Sequence, residues 1–360
     1  MAPVKDHRRL NKGNIQYSVS ELFFLSIVGI VCGCDGWEGI SLFGKLKLDW
    51  FRKFYPYRKG VPSQDTLERF FGKLSSETFG QSFVDWAAQC FKSIDNEVVS
   101  IDGKRIRGSY DILAGQGATH TVSAYATANG ITLGQVATGD KSNEITAIPQ
   151  LLGLIDIVGT VVSIDAMGCQ VSIASKIRER QADYLLAVKG NQEGLYEDIL
   201  LTFRTMPPNG SDTWFDVGHG RVERRTCDVV TSLDWVEGKE KWPDLAALVR
   251  ITTERGVKTT GEIQHETRYY ITSKKFTAKE INRMVRSHWA IENKLHWVLD
   301  VTFKEDRSRR RKGNSAFNFN VMAKVAIRLL EKNKGNLTKP MARMKATVDD
   351  QFRELIFKDF

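Results

Sequence analysis

The chain has 360 residues, 42% hydrophobic, with 52 Lys and Arg against 43 Asp and Glu for a net charge of +9. That is enough for one large elaborated domain or two to three modules around a sizeable core, and the positive balance favours a polyanion such as nucleic acid, although a basic protein needs no such partner. Five scattered cysteines, Cys32, Cys34, Cys90, Cys169 and Cys227, argue against a disulfide framework, and Cys32-Gly33-Cys34 has no downstream Cys/His pair to complete a zinc site.

Residues 1–93 read as helical. The run LFFLSIVGIVCG at 22–33 is too short to span a bilayer and lacks the flanks of a signal peptide, so it predicts a buried helix, capped by Ser18 or Ser20, in a cytoplasmic protein without membrane contact. Ser63 caps a second predicted helix with Leu67, Phe70, Phe71 and Leu74 on one face, and Phe79, Phe83, Trp86 and Cys90 mark a third. These stripes suit a core, and two short successive helices also suit DNA docking.

From Glu97 the period changes. VVSI is a strand, HTVSAYATA and ITLGQVAT form a hairpin about Asn129-Gly130, and helices at about 144–154 and 170–180 alternate with a second VVSI and with DYLLAVKGNQ. The order β, β-hairpin, α, β, α, β implies a mixed sheet with helices packed on it. Residues 212–275 carry TWFDVGH, RRTCDVV, LVRITTE and ETRYYITS, a strand-rich insertion. A helical pattern resumes at Thr277 and runs through SHWAIENKLHWVLD, followed by the basic stretch KEDRSRRRK and a further helix at about 316–331.

The chain writes EVVSID at 97–102 and TVVSID at 160–165. A strand buried on both faces reads as continuous Val/Ile, and α/β sheets place ligands beyond the carboxyl ends of such strands. Two aspartates there, Asp102 and Asp165, repel each other unless a cation intervenes. A pair of Mg²⁺ ions suits hard oxygen donors and phosphodiester displacement. Taken singly, each aspartate also suits a helix cap or turn. Lys104, Arg105 and Arg107 follow Asp102 and can meet phosphate oxygens. The best third acid is Glu292, which shares a helical stripe with His296 and Asp300, although such a stripe also suits an outer polar face. Glu144 is the reserve acid, but at a predicted helix start its simpler role is to meet the helix dipole.

VVSIDGKRIRGS, HTVSAYATANGITLGQ, KSNEITAIPQLL, VVSIDAMGCQ, DYLLAVKGNQ and SHWAIENKLHWVLDVTFKED together resemble the DDE-type insertion-sequence transposases of the H-repeat-associated subgroup over nearly the whole chain. The resemblance implies an α/β, RNase H-like mixed sheet with flanking helices, a β-rich insertion before the last catalytic helix and an N-terminal helical domain. Its divisions would be a helical, DNA-binding 1–93, a core at 94–211 and 276–335, the insertion at 212–275 and a C-terminal tail at 336–360. The acidic triad falls on Asp102, Asp165 and Glu292, which would hold two Mg²⁺ ions, with Mn²⁺ able to substitute. Related enzymes carry Tyr, Arg and Lys around the third acid, where this chain has Val285, His288 and Leu299. Arg286, His288 and Lys294 are the local substitutes for phosphate contact.

The activity implied is cleavage of double-stranded DNA at element ends and strand transfer into a target, with a homodimer pairing two ends. Lys189, beside Asn191 and Gln192, would contact DNA near the scissile bond, and Arg309, Arg310, Arg311 and Lys312 would bind backbone phosphate. A metal-dependent nuclease without strand transfer, and an inactive transposase-derived DNA-binding protein, are the alternatives.

Overall fold

The structure is a computed structural model and describes residues 4, 6–8, 15–92, 94, 96–111, 115, 117–139, 143–218, 221–257 and 262–358. Its centre is a nine-stranded sheet of β1 (Val98–Arg105), β2 (His120–Ala126), β3 (Ile131–Ala137), β4 (Val161–Ile164), β5 (Asp183–Val188), β6 (Gly210–Gly218), β7 (Arg221–Val230), β8 (Ala247–Val257) and β9 (Ile263–Thr272). The strand order is β3-β2-β1-β4-β5-β9-β8-β7-β6. The β2–β3 hairpin pairs antiparallel with β1, and β1, β4 and β5 run parallel, which is the RNase H-like arrangement.

The helices are α1 (Val19–Val31), α2 (Trp37–Leu46), α3 (Leu48–Phe51), α4 (Gln64–Lys73), α5 (Ser76–Cys90), α6 (Glu144–Leu154), α7 (Val171–Glu179), α8 (Glu193–Thr205), α9 (Ala278–His288), α10 (Trp297–Val301), α11 (Ser315–Asn333), α12 (Lys339–Val348) and α13 (Asp350–Phe357). The apolar run at 22–33 is buried within the protein as α1, and Ser18 supplies its cap in a reciprocal box with Glu21. No helix among the described residues is long and apolar enough to cross a membrane. Helices α1 and α4 pack on α11, which also contacts α5, α12, α13 and β3, and all share one apolar cluster with the sheet.

Each VVSI run has two covered faces. Val98 and Val161 share one apolar cluster with Ile281, Met284 and Val285 of α9, while Val99, Ile101, Val162 and Ile164 belong to a second that holds Ile148 of α6 and Ile173 and Ile177 of α7. Residues i and i+2 of a strand share a face. Asp102 therefore projects on the α9 side, and Gly103 lies on the α6 side.

The β-rich insertion does not fold as a separate sheet. Its last strand, β9, pairs antiparallel with β5, so β6–β9 prolong the core sheet. Helix α8, which the sequence reading passed over, precedes it and buries Leu195, Ile199 and Thr202. The segment at 336–360 holds α12 and α13, pinned by Arg353, which is wholly buried and donates to the Ala346 and Thr347 carbonyls. Past Thr277 the helix is not uniform. Between α9 and α10, residues Ile291–His296 wind as a π-helix, with Trp297 N–H donating to the Glu292 carbonyl. Such turns are concentrated at functional sites.

The end of β1 is fixed by close backbone packing. Gly108 is buried, and a Cβ there would overlap the Ser308 carbonyl oxygen and lie 3.1 Å from that of Asp306. Gly108→Ala is expected to cost about 1–3 kcal/mol in urea unfolding. Gly153→Ala, in α6 with nothing within 4 Å of the added methyl, should instead be neutral or stabilising.

Candidate active site

The register of two strands brings the aspartates together. Val98 pairs with Val161, Val99 with Val162, Ser100 with Ser163 and Ile101 with Ile164, so identical residues stand side by side. The next residue on each strand is Asp102 and Asp165. Adjacent strands lie ~4.8 Å apart, so the two carboxylates begin from neighbouring backbone positions. Asp165 ends β4 and caps a 3₁₀ turn, accepting from Gly168 N–H at 3.4 Å. Asn191 and Gln192 brace that turn, donating to the Ala166 carbonyl at 2.7 Å and the Cys169 carbonyl at 2.8 Å.

The π-helix and α10 supply the next groups, with His296 and Asp300 turned toward β1. His296 Nδ1 lies 3.3 Å from Asp102 Oδ2, and Asp300 accepts from Lys104 Nζ at 2.6 Å. Glu292, near the start of the π-helix, is exposed. Its carboxyl is raised from the ordinary value by partial burial and by the charge of Asp102, against the lowering influence of His296 and Arg268. His288 is held neutral by burial while feeling Asp102 and Asp165, and its Nδ1 is buried without a hydrogen-bond partner.

A fourth acid enters from the other face. Glu144 opens α6, and its Oε1 lies 3.0 Å from His120 Nε2. Burial, then the charges of Asp102 and Asp165, push its carboxyl up to about 7. The helix-start position was legible, but its proximity to the aspartates was not, because it depends on how α6 docks.

Residues 93–329 match the family described as Transposase DDE domain, and residues 1–87 match its associated domain. The chain belongs to the DDE-domain transposase family. The putative transposase YncI of Escherichia coli O157:H7 is 40% identical over 326 residues, 89% of this chain and 83% of that protein. The H repeat-associated putative transposase YhhI of E. coli K12 is 37% identical over 340 residues, 92% of this chain and 89% of that one, which supports the H-repeat-associated subgroup. A cryo-EM structure of a piggyBac transposase synaptic complex with hairpin DNA aligns with 98% of this chain and 75% of that one at 10% identity and a TM-score of 0.44, too remote to inform function.

In this transposase the donor chemistry suits a divalent cation, since carboxylate oxygens are hard ligands. Among the described residues, no three His, Cys, Asp or Glu side chains are grouped so as to hold one ion as they stand.

Of the cations expected at DNA, Lys104 and Arg310 are enclosed by the protein, and Arg311, Lys312 and Arg286 have protein partners. Lys104 is only 10% exposed and faces Asp300, Glu305 at 3.6 Å and Asp306 at 3.9 Å, so it neutralises an internal acidic cluster. Arg310 is buried, stacked over Phe319 at 3.3 Å and donating to the Asp35 carbonyl, and a buried guanidinium reaches no phosphate. Arg311 lies over the Tyr110 ring, and Lys312 pairs with Glu68 at 2.6 Å. Arg286 pairs with Asp216 of the insertion. Arg105, Arg107, Lys189, Lys294 and Arg309 are exposed. The sequence reading missed Arg268 on β9, whose guanidinium stacks over Trp289 at 4.5 Å and acts on both Glu292 and His288. No spacing links a strand of the insertion to the third acid.

Two measurements check these assignments. Lys104→Ala strands the buried Glu305 and its neighbours, so urea unfolding should show a loss of about 3–5 kcal/mol. A lysine serving only DNA would leave stability within about 0.5 kcal/mol. For Glu144, the folded carboxyl near 7 lies above its ordinary 4.5. Between those values the folded state keeps a proton that the unfolded chain has shed, so stability falls as pH rises. In EDTA, Glu144→Gln should therefore gain stability relative to the unmodified chain from pH 5 to pH 8. A constant difference would contradict this environment for Glu144.

Proposed function

We propose that the chain is a DNA transposase that cleaves double-stranded DNA at the ends of an insertion element and joins the freed 3′ end to a target. The observation that carries this reading is the in-register pairing of the two VVSI strands, which makes neighbours of Asp102 and Asp165. Neighbouring carboxylates repel each other unless a cation intervenes, so the arrangement favours a bound cation. Two Mg²⁺ ions, when bound, would supply a lowered pKa for the attacking oxygen and charge neutralisation at the phosphate.

Asp102, within β1, and Asp165, directly after β4, hold that position on rigid backbone, and Glu292 would close it from the π-helix. His296 orients Asp102, and Arg268 places positive charge beside Glu292, where phosphate oxygens would lie. Asn191 and Gln192 keep the Asp165 turn in place. Exposed Arg105, Arg107, Lys189, Lys294 and Arg309 bind the DNA backbone, with an affinity that falls with salt. A homodimer pairs the two element ends.

The test is an assay with Mg²⁺ on duplex carrying an element end, scored for both nicks and joined products. The unmodified chain should yield both, and Asp165→Ala should lose at least ~10³-fold of each. Nicking without joining would identify a nuclease, binding without nicking an inactive DNA-binding protein, and undiminished activity in Asp165→Ala would refute the acid assignment.

A further inference from the structure

We propose that helix α12 is the contact surface through which two copies of this chain pair about a two-fold axis. The proposal rests on the homodimer of the reading above and names the surface that forms it.

Helix α12 is amphipathic in the wrong sense for a monomer. A surface helix normally turns its apolar stripe to the core. Here Ala342, Arg343 and Ala346 are buried, while Met341, Met344 and Val348 are 52%, 64% and 71% exposed. Their spacing of three and four residues puts these three on one face. The helix cannot roll to hide them. Arg343 donates to the Ile30 carbonyl at 3.0 Å and to the Thr302 carbonyl, pairs with Asp35 at 3.1 Å and stacks over Phe303, and Thr347 donates to the Cys32 carbonyl at 2.7 Å. A roll would strand a buried guanidinium. Lys345, the charge beside the stripe, is engaged by Asp349 at 4.0 Å and by the Phe352 ring at 4.5 Å. Leu46, exposed at the end of α2, precedes Lys47, which pairs with Asp350 at 3.0 Å, so α2 brings further apolar surface toward the same end of α12. Single exposed apolar residues need no partner, whereas an aligned set marks an interaction surface.

Charge complementarity points to a second α12 as the occupant. The helix has Lys339 at its start and Asp349 and Asp350 directly after its end, each of the sign its own dipole disfavours. A second copy laid antiparallel reverses both mismatches, because Lys339 of each copy faces the acidic, carbonyl end of the other. The same arrangement sets Met341 against Val348 and Met344 against its own counterpart, as a two-fold contact requires. Lys339 also pairs with Glu331, Asp350 with Lys47, and Asp349 caps α13, so the charges set orientation while the apolar stripe supplies the contact.

The experiment is sedimentation equilibrium of the full chain without DNA, from about 1 to 100 μM, with far-UV circular dichroism to verify folding. The unmodified chain should dimerise across that range. Met344→Glu should weaken the dimer at least ~10-fold. Phe215→Glu, at an exposed position of β6, should leave it unchanged. Met341→Cys and Val348→Cys chains, mixed and oxidised, should cross-link to each other more than either does to itself. A dimer that persists in Met344→Glu, or that cross-links without this pairing, overturns the surface and leaves the homodimer intact. Equal weakening by Phe215→Glu would reveal non-specific association and overturns the surface as well. A chain that is monomeric at every concentration overturns the proposal, while the reading above is decided separately by its cleavage assay.

Discussion

The parallel pairing of two identical four-residue strands is the constraint on which the rest depends. Because β1 and β4 match Val to Val, Ser to Ser and Ile to Ile, the residue that ends each run must emerge beside its counterpart. The register is itself held from two sides, since α9 covers one face of the runs and α6 and α7 cover the other. A one-residue slip would turn every side chain to the wrong face and separate the aspartates. Packing energy thus supports a placement that the carboxylates would not adopt on their own.

Beneath the acids lies a charged network that makes their platform stiff. Lys104 sits two residues past Asp102 on the same face and is held among Asp300, Glu305 and Asp306. Ser123, directly across from Asp102 on β2, accepts from Lys324 of α11 at 2.7 Å, and Lys324 also reaches Gln135 on β3. Burial lowers the Lys324 ammonium to about 7. These bonds tie α10, α11 and the strands into one unit, so the third acid and the first are positioned by the same scaffold.

Much of this was legible in the sequence, for identifiable reasons. Strand and helix identities followed from period and turn chemistry, as with Asn129-Gly130, and the paired VVSID runs pointed to neighbouring strand ends. The Glu292, His296 and Asp300 stripe was readable as a shared face, although the π-helical winding that aims it at β1 was not, because no residue type marks it. Single cations were read least well. Arg310 and Lys104 look like solvent-facing basic residues in a charged stretch, and only tertiary packing shows that Phe319 and the Asp300–Glu305 cluster enclose them. Arg268 and Glu144 enter the site through the insertion and through helix docking, relationships between elements distant in the chain.

Anomalous diffraction from crystals of the full chain soaked in Mn²⁺ would interrogate the arrangement most directly. The account predicts a peak between the carboxylates of Asp102 and Asp165, with Glu292 brought within ligating distance. Mn²⁺ bound elsewhere on the protein while that position stays featureless would contradict it.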